Sequence, residues 1–134
     1  MPVPGLTTIR SHRSARETMN RLEAAVKAKG MTVFARIDHA AGASAVGMPL
    51  NAAEVLVFGN ARGGTPLMQS VPTIGIDLPL KALVWQDASG ETWLSYNDPA
   101  WLAKRHGLGG DLGPAVDALT AALAALARAA CAAP

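Results

Sequence analysis

Hydrophobic positions along the chain recur at two spacings, every second residue and every third or fourth. The switches between them lay out the elements. Leu6–Ser11 is short and rich in Thr and Ile and predicts a strand. Ser14, with Glu17 three residues on, forms a capping box: the hydroxyl accepts one free helix N–H and the carboxylate reaches back for another. Met19, Leu22 and Val26 follow at helical spacing. Arg16, Asn20, Glu23 and Lys27 fall on the opposite, wet face, and Gly30 closes the helix. Thr32–Ile37 predicts a second strand, with Val33, Ala35 and Ile37 on one face and Thr32, Phe34 and Arg36 on the other. Asp38 is placed to cap a short Ala-rich helix that runs to about Val46 and stops at Gly47.

Glu54–Phe58 is a nearly continuous apolar run, the mark of a central strand. Gly59–Gly64 reads as a flexible turn. Thr65-Pro66 then reads as an N-cap followed by proline at the first helical position, opening a helix to about Val71. Leu80–Asp87 and Glu91–Asn97 flank Ala88-Ser89-Gly90 and predict a hairpin, with Trp85 and Trp93 packing across it. Asp98-Pro99 opens a helix to about His106, closed by Gly107. Pro114 starts a last helix with Val116, Leu119, Leu123 and Leu126 on one face. The order β-α-β-α-β-α-β-β-α-α predicts an α+β fold, a mainly antiparallel sheet with helices on one face. An α/β sheet is the alternative, weakened by a third helix too short to cover a crossover.

Length and composition narrow the picture. The 134 residues fit one domain. Half the residues are hydrophobic but only 4% are aromatic, so the core is aliphatic and alanine-packed. The +2 formal charge is too small for a strong nucleic-acid footprint, although the pI is near 9.0. The one local concentration is Arg10, Arg13, Arg16 and Arg21, without aromatics for base stacking, so nucleic-acid binding is not expected. A single cysteine, Cys131, excludes an internal disulfide framework and reads as a packing residue. The first residues carry no apolar leader. Ala118–Ala127, the most apolar stretch, is too short to cross a membrane. The expected compartment is therefore the cytoplasm.

One ordered set of short motifs resembles a known family. Asp38-His39, Val55–Asn60, Gly64–Met68, Asp77–Lys81, Ser95–Pro99 and Arg105-His106-Gly107 together resemble the family called domain of unknown function 302. The resemblance spans roughly residues 6–130. It implies a compact α+β fold of TATA-binding-protein-like arrangement, often dimeric, and it implies no reaction. Members of the family often have exported or membrane-attached architectures.

Several polar groups are candidates for chemistry. Gly63-Gly64-Thr65 before a helix offers free N–H groups to an anion, with Arg62 nearby. The Lys-Ser/Thr that a phosphate-binding P-loop needs is replaced by Thr65-Pro66. Asp38 caps a helix whose first turn carries His39, and a neutral imidazole there suits metal binding or general-base work. His106 at a helix C-terminus suits capping of terminal carbonyls. Asp77 and Lys81 bracket a strand entry, where the acid either caps free N–H groups or pairs with Lys81. Ser95 and Tyr96 point to opposite faces of their strand, and no nucleophile elbow surrounds the serine.

The function these features support is a non-catalytic small-ligand-binding or interaction module that forms a homodimer. Its expected site combines Asp38, His39, Thr65, Met68 and Lys81, with Met48 and Leu67 extending an adaptable apolar wall. His39, Thr65 and Lys81 are expected to converge. A small molecule or an anion is the expected ligand; no metal ligand set is assigned and the sequence names no cofactor. The alternative is a metal-assisted or histidine-based hydrolase using His39 and Asp38. A purely structural assembly subunit is the third reading.

Overall fold

A computed structural model describes residues 2–134, and Met1 lies outside it. Its elements are β1 (Leu6–Ser11), α1 (Ala15–Ala28), β2 (Thr32–Asp38), α2 (His39–Ala45) and β3 (Ala53–Gly59), then α3 (Ala61–Ser70), β4 (Leu80–Gln86), β5 (Thr92–Asn97), α4 (Pro99–Arg105) and α5 (Gly113–Cys131). Short 3-10 segments cover Pro72–Asp77 and Gly110–Leu112. The strands form one sheet in the order β1-β5-β4-β3-β2, and every neighbouring pair is antiparallel. Only α1 carries the chain from one sheet edge to the other. The links through α2 and α3 join antiparallel neighbours, so the early β-α alternation does not build a parallel sheet.

Helices α1 and α5 cover one face. Met19, Leu22 and Val26 from α1 meet Leu123, Leu126, Ala127, Ala130 and Cys131 from α5 over Leu56, Phe58, Ala82, Val84, Leu94 and Tyr96 of the sheet. Burying each large aliphatic or aromatic side chain here contributes about 1.5–3 kcal/mol. The Ser14 hydroxyl accepts from the Glu17 N–H at 3.1 Å, one half of the expected capping box, while the Glu17 carboxylate turns to Arg13 at 2.6 Å instead of reaching back to the helix start. Ser11 and Thr18, both buried, share a 2.6 Å hydrogen bond that ties β1 to α1.

Two of the four clustered arginines, Arg13 and Arg21, serve the end of α5. Arg13 Nε donates to the Ala132 carbonyl and an Arg21 guanidinium nitrogen to the Ala129 carbonyl, each at 2.8 Å. These are the orphan carbonyls at a helix C-terminus, where cations are favoured. Arg10 pairs instead with Glu91 at 2.6 Å.

Three local expectations need correction. A bulge between Val33 and Ala35 breaks the alternation of β2. Val33 packs into the core, Arg36 turns to α1 to meet Glu23 and Asn20, and Ala35 and Ile37 fall on the far face opposite Val57 and Val55. Helix α3 begins at Ala61, not after Thr65, because Asn60 Oδ1 accepts from the Gly63 N–H at 2.7 Å. Pro66 therefore lies inside the helix, where it removes the bond to the Arg62 carbonyl. Finally, Gly110–Cys131 is one helix long and apolar enough to cross a membrane, longer than the Ala118–Ala127 stretch suggests. Its buried stripe is occupied by the sheet and α1.

Candidate functional site

A second, smaller core forms at one end of the sheet. Leu67 of α3, Ile74 of the 3-10 segment and Val116 of α5 are buried there, with Leu78 and Leu119 bridging to the main core. The two cores do not close on each other completely. Between them lies an apolar cavity of about 240 Å³. Its walls are Leu78, Leu80, Leu119, Met31, Met68 and the backbone of Gly59, Gly63, Gly64 and Gly75. Phe34, 57% exposed, and Met68 stand among the lining residues that reach solvent.

The glycines are what keep this space open. Gly64, the fourth residue of α3, is about 0.8–1 kcal/mol less favourable there than alanine, whereas a Cβ on Gly63, in the capped first turn, would press on Asn60 Oδ1 at 3.3 Å. A Cβ on Gly64 would stand 3.5 Å from Leu78 Cδ1 and 3.8 Å from Met68 Cε, ordinary contacts that fill space without a clash. A Cβ on Gly75 would press on Met68 Sδ at 3.2 Å. Asn60 also lines the cavity, but its Oδ1 is committed to the helix cap. Thr65 lines it with a hydroxyl that has no hydrogen-bond partner among the described residues.

A polar cluster lies on the other side of the same 3-10 segment. The Thr73 hydroxyl is 3.0 Å from His106 Nδ1, and His106 Nε2 is 2.6 Å from Asp77 Oδ2. Arg105 donates to the same Asp77 oxygen at 2.8 Å. One neutral tautomer satisfies both imidazole contacts: Nε2–H donates to Asp77 while Nδ1 accepts from Thr73. Burial pushes the Asp77 carboxyl up, but the His106 hydrogen bond and the Arg105 charge outweigh it and hold Asp77 below the usual carboxylate range. The cluster fastens the 3-10 segment, one wall of the cavity, to the end of α4.

The sequence-assigned site residues divide between two ends of the sheet. Thr65 and Met68 line the cavity. Lys81 follows the lining residue Leu80 on the opposite face, and its Nζ donates to the Pro79 carbonyl at 3.0 Å. It does not pair with Asp77, which is taken by His106 and Arg105. Asp38 and His39 do not join this group. The β2–β3 register pairs Asp38 with Glu54 and Thr32 with Gly59, so about six residues of strand, roughly 20 Å, separate the two ends. Asp38 Oδ1 is occupied by the Ala41 N–H at 2.8 Å, and His39 is exposed. The expected convergence fails because the capping chemistry that places His39 belongs to the far end of the same strand. Met48 is 62% exposed, and Leu67 is buried in the smaller core, so neither extends the cavity wall. His106 caps α4 through its backbone N–H, which donates to the Leu102 carbonyl at 3.2 Å, while its ring faces Thr73 and Asp77. Among the described residues no group of three or more His, Cys, Asp or Glu side chains is gathered to hold a metal.

The sequence profile of the family described as domain of unknown function DUF302 matches residues 7–126. The chain belongs to that family. A crystal structure of an uncharacterized conserved DUF302 protein from Bacillus stearothermophilus superposes with a TM-score of 0.83 at 21% identity, covering 96% of this chain and 99% of that one. Two curated relatives are named fluoride-specific ion channel FluC 1. The one from Brucella suis biovar 1 is 53% identical over 105 residues, 78% of this chain and 41% of that protein. The one from Brucella abortus biovar 1 is 53% identical over 105 residues, with 39% of that protein covered. The chain thus spans about two fifths of the length of these relatives.

Proposed function

We propose that this DUF302 domain is a homodimeric, non-catalytic module that binds a small apolar molecule in the cavity between α3, the 3-10 segment and α5. The observation that carries this reading is an apolar space walled by glycines, among them Gly64 of α3, where alanine would be more stable and would fit. A cavity of about 150 Å³ lined by aliphatic groups already admits benzene, so this one has room for a fused two-ring or short alkyl compound. Thr65 supplies a hydroxyl for one polar end.

In relatives that carry the fluoride-channel name, we assign the pore to the unmatched remainder. A pore needs several spanning segments, and in this chain one helix alone, among the described residues, has the length and composition to span. In those relatives the domain would then be a ligand-binding module carried on the same chain as a fluoride-specific ion channel.

Methionine methyl groups give a direct test. Met31 and Met68 line the cavity, whereas Met19 is in the main core and Met48 is exposed. With 13C-methyl methionine, titration with indole shifts the Met31 and Met68 resonances and leaves Met19 and Met48 in place. No shift of either cavity methyl up to the solubility of indole refutes the reading.

The Thr73–His106–Asp77 geometry supports a second reading, an acyl hydrolase in which His106, not His39, is the base. Its favouring feature is an exposed threonine hydroxyl with a nearly buried imidazole behind it. Hydrolysis of p-nitrophenyl acetate that is abolished by Thr73→Ala supports it; turnover at the buffer rate discards it.

A further inference from the structure

The face of the sheet turned away from α1 and α5 is built for burial, although no helix packs across it. A one-sided antiparallel sheet alternates apolar inward residues with polar outward ones. Here the inward set on the three inner strands includes Leu56, Phe58, Ala82, Val84 and Leu94, and the outward positions alternating with it include Val55, Val57, Leu83, Trp85 and Trp93, with Lys81, Ser95 and Asn97 as the polar exceptions. Strands β3 and β4, apolar on both sides over most of their length, have the pattern of a sheet covered on both faces.

The polar atoms on this face are already satisfied. Trp85 Nε1 donates to Ser95 Oγ at 2.9 Å, and Thr8 Oγ1 shares a 2.8 Å hydrogen bond with the same serine. Trp93 Nε1 donates to Asp87 at 2.8 Å, and the two indoles stack with centroids 6.3 Å apart. Covering the face would leave none of these donors unpaired, which removes the main cost of burying them. The charged groups stand toward its margins. Lys81 lies at the start of β4 with its ammonium turned to the Pro79 carbonyl, and Arg10 on edge strand β1 pairs with Glu91.

We propose that this face packs against the same face of a second copy of the chain, two sheets stacked about 10 Å apart. This deepens the homodimer reading by naming its surface and does not depend on any ligand in the cavity. Size and charge favour a second copy. Five strands about 4.8 Å apart and about 20 Å long present roughly 500 Å². A two-fold pair then buries roughly 1,000 Å², the size at which a specific interface begins. The middle row of the face, Val55, Leu83 and Ser95, carries no charge, so an acidic or basic partner finds nothing there to select, whereas a copy of the chain fits it.

Light scattering coupled to size-exclusion chromatography tests this with Leu83→Glu and Val57→Lys, and with Lys29→Glu on the exposed end of α1 as the control. The expected mass is twice 13.8 kDa for the wild type and the control, and 13.8 kDa for the two face variants. Circular dichroism confirms that the variants fold. A second measurement uses the unaltered protein: iodide quenching of tryptophan rises on serial dilution as Trp85 and Trp93 become uncovered. A wild-type monomer overturns both the dimer and its surface. A dimer that persists in both folded face variants, with quenching unchanged on dilution, overturns the surface and leaves the dimer standing.

Discussion

Replacing Gly64 by alanine separates two descriptions of residues 59–70. If Gly59–Gly64 is a turn that ends in a Thr65 cap, Gly64 is a loop residue and alanine gains no helix propensity. In the structure Gly64 is the fourth residue of α3, its N–H donates to the Asn60 carbonyl at 3.2 Å, and its backbone is outside the left-handed region. Alanine there removes the excess backbone freedom of glycine and stabilises the helix by about 0.8–1 kcal/mol. The added methyl meets Leu78 and Met68 at 3.5 and 3.8 Å, so no strain offsets the gain. An unfolding entropy of about 2.1 cal/mol/K per residue amounts to about 0.28 kcal/mol/K for this length, and Tm rises by about 3–4 °C. Thermal unfolding followed at 222 nm measures it. The same methyl intrudes on the cavity, so the Met68 resonance responds less to indole. A Tm unchanged or lowered, with helix content retained, refutes the helical assignment of Gly64 and with it the argument that glycine is kept there for space.

The cap itself gives a companion test: Asn60→Ala lowers stability by about 1 kcal/mol in urea unfolding, while Thr65→Ala leaves it within about 0.5 kcal/mol. Equal losses at both positions would contradict the Asn60 cap. Gly5 has φ +74°, and a Cβ there would lie 2.3 Å from the Trp101 ring, so Gly5→Ala costs at least about 1–3 kcal/mol and changes Trp101 fluorescence. An unaltered Tm would show that the N-terminal turn does not pack on Trp101. Because the Asp77 carboxyl is held below its ordinary range in the folded state, its stabilisation is full above the unfolded pKa and is lost as pH falls through the folded one. Asp77→Asn therefore lowers Tm at neutral pH, through lost charge-assisted bonds worth about 1–3 kcal/mol, and its difference from wild type shrinks below about pH 4. A difference independent of pH would place the loss in packing instead.

Local chemistry was legible wherever it acts within a few residues. The Ser14, Asp38 and Asp98 caps, the Trp85–Trp93 hairpin and the aliphatic stripe of α5 are all set by neighbours in the chain, so residue identity and spacing suffice to place them. The α+β class follows from their order. The cavity was half legible: Thr65 and Met68 carry its polar and adaptable character, but nothing in the spacing announces that Met31, Leu78 and Leu119 close around them. Those contacts exist because α5 returns over the end of the sheet, and that choice is made by packing between segments far apart in the chain. The same holds for His106 and Asp77, 29 residues apart in sequence and 2.6 Å apart in space. It holds in reverse for His39, whose exposed place beside the Asp38 cap follows from local sequence while its distance from Thr65 is set by the β2–β3 register. Caps, turns and periodicity are short-range free energies written residue by residue; which ends of which elements meet is decided only when the whole apolar surface finds its lowest-energy arrangement.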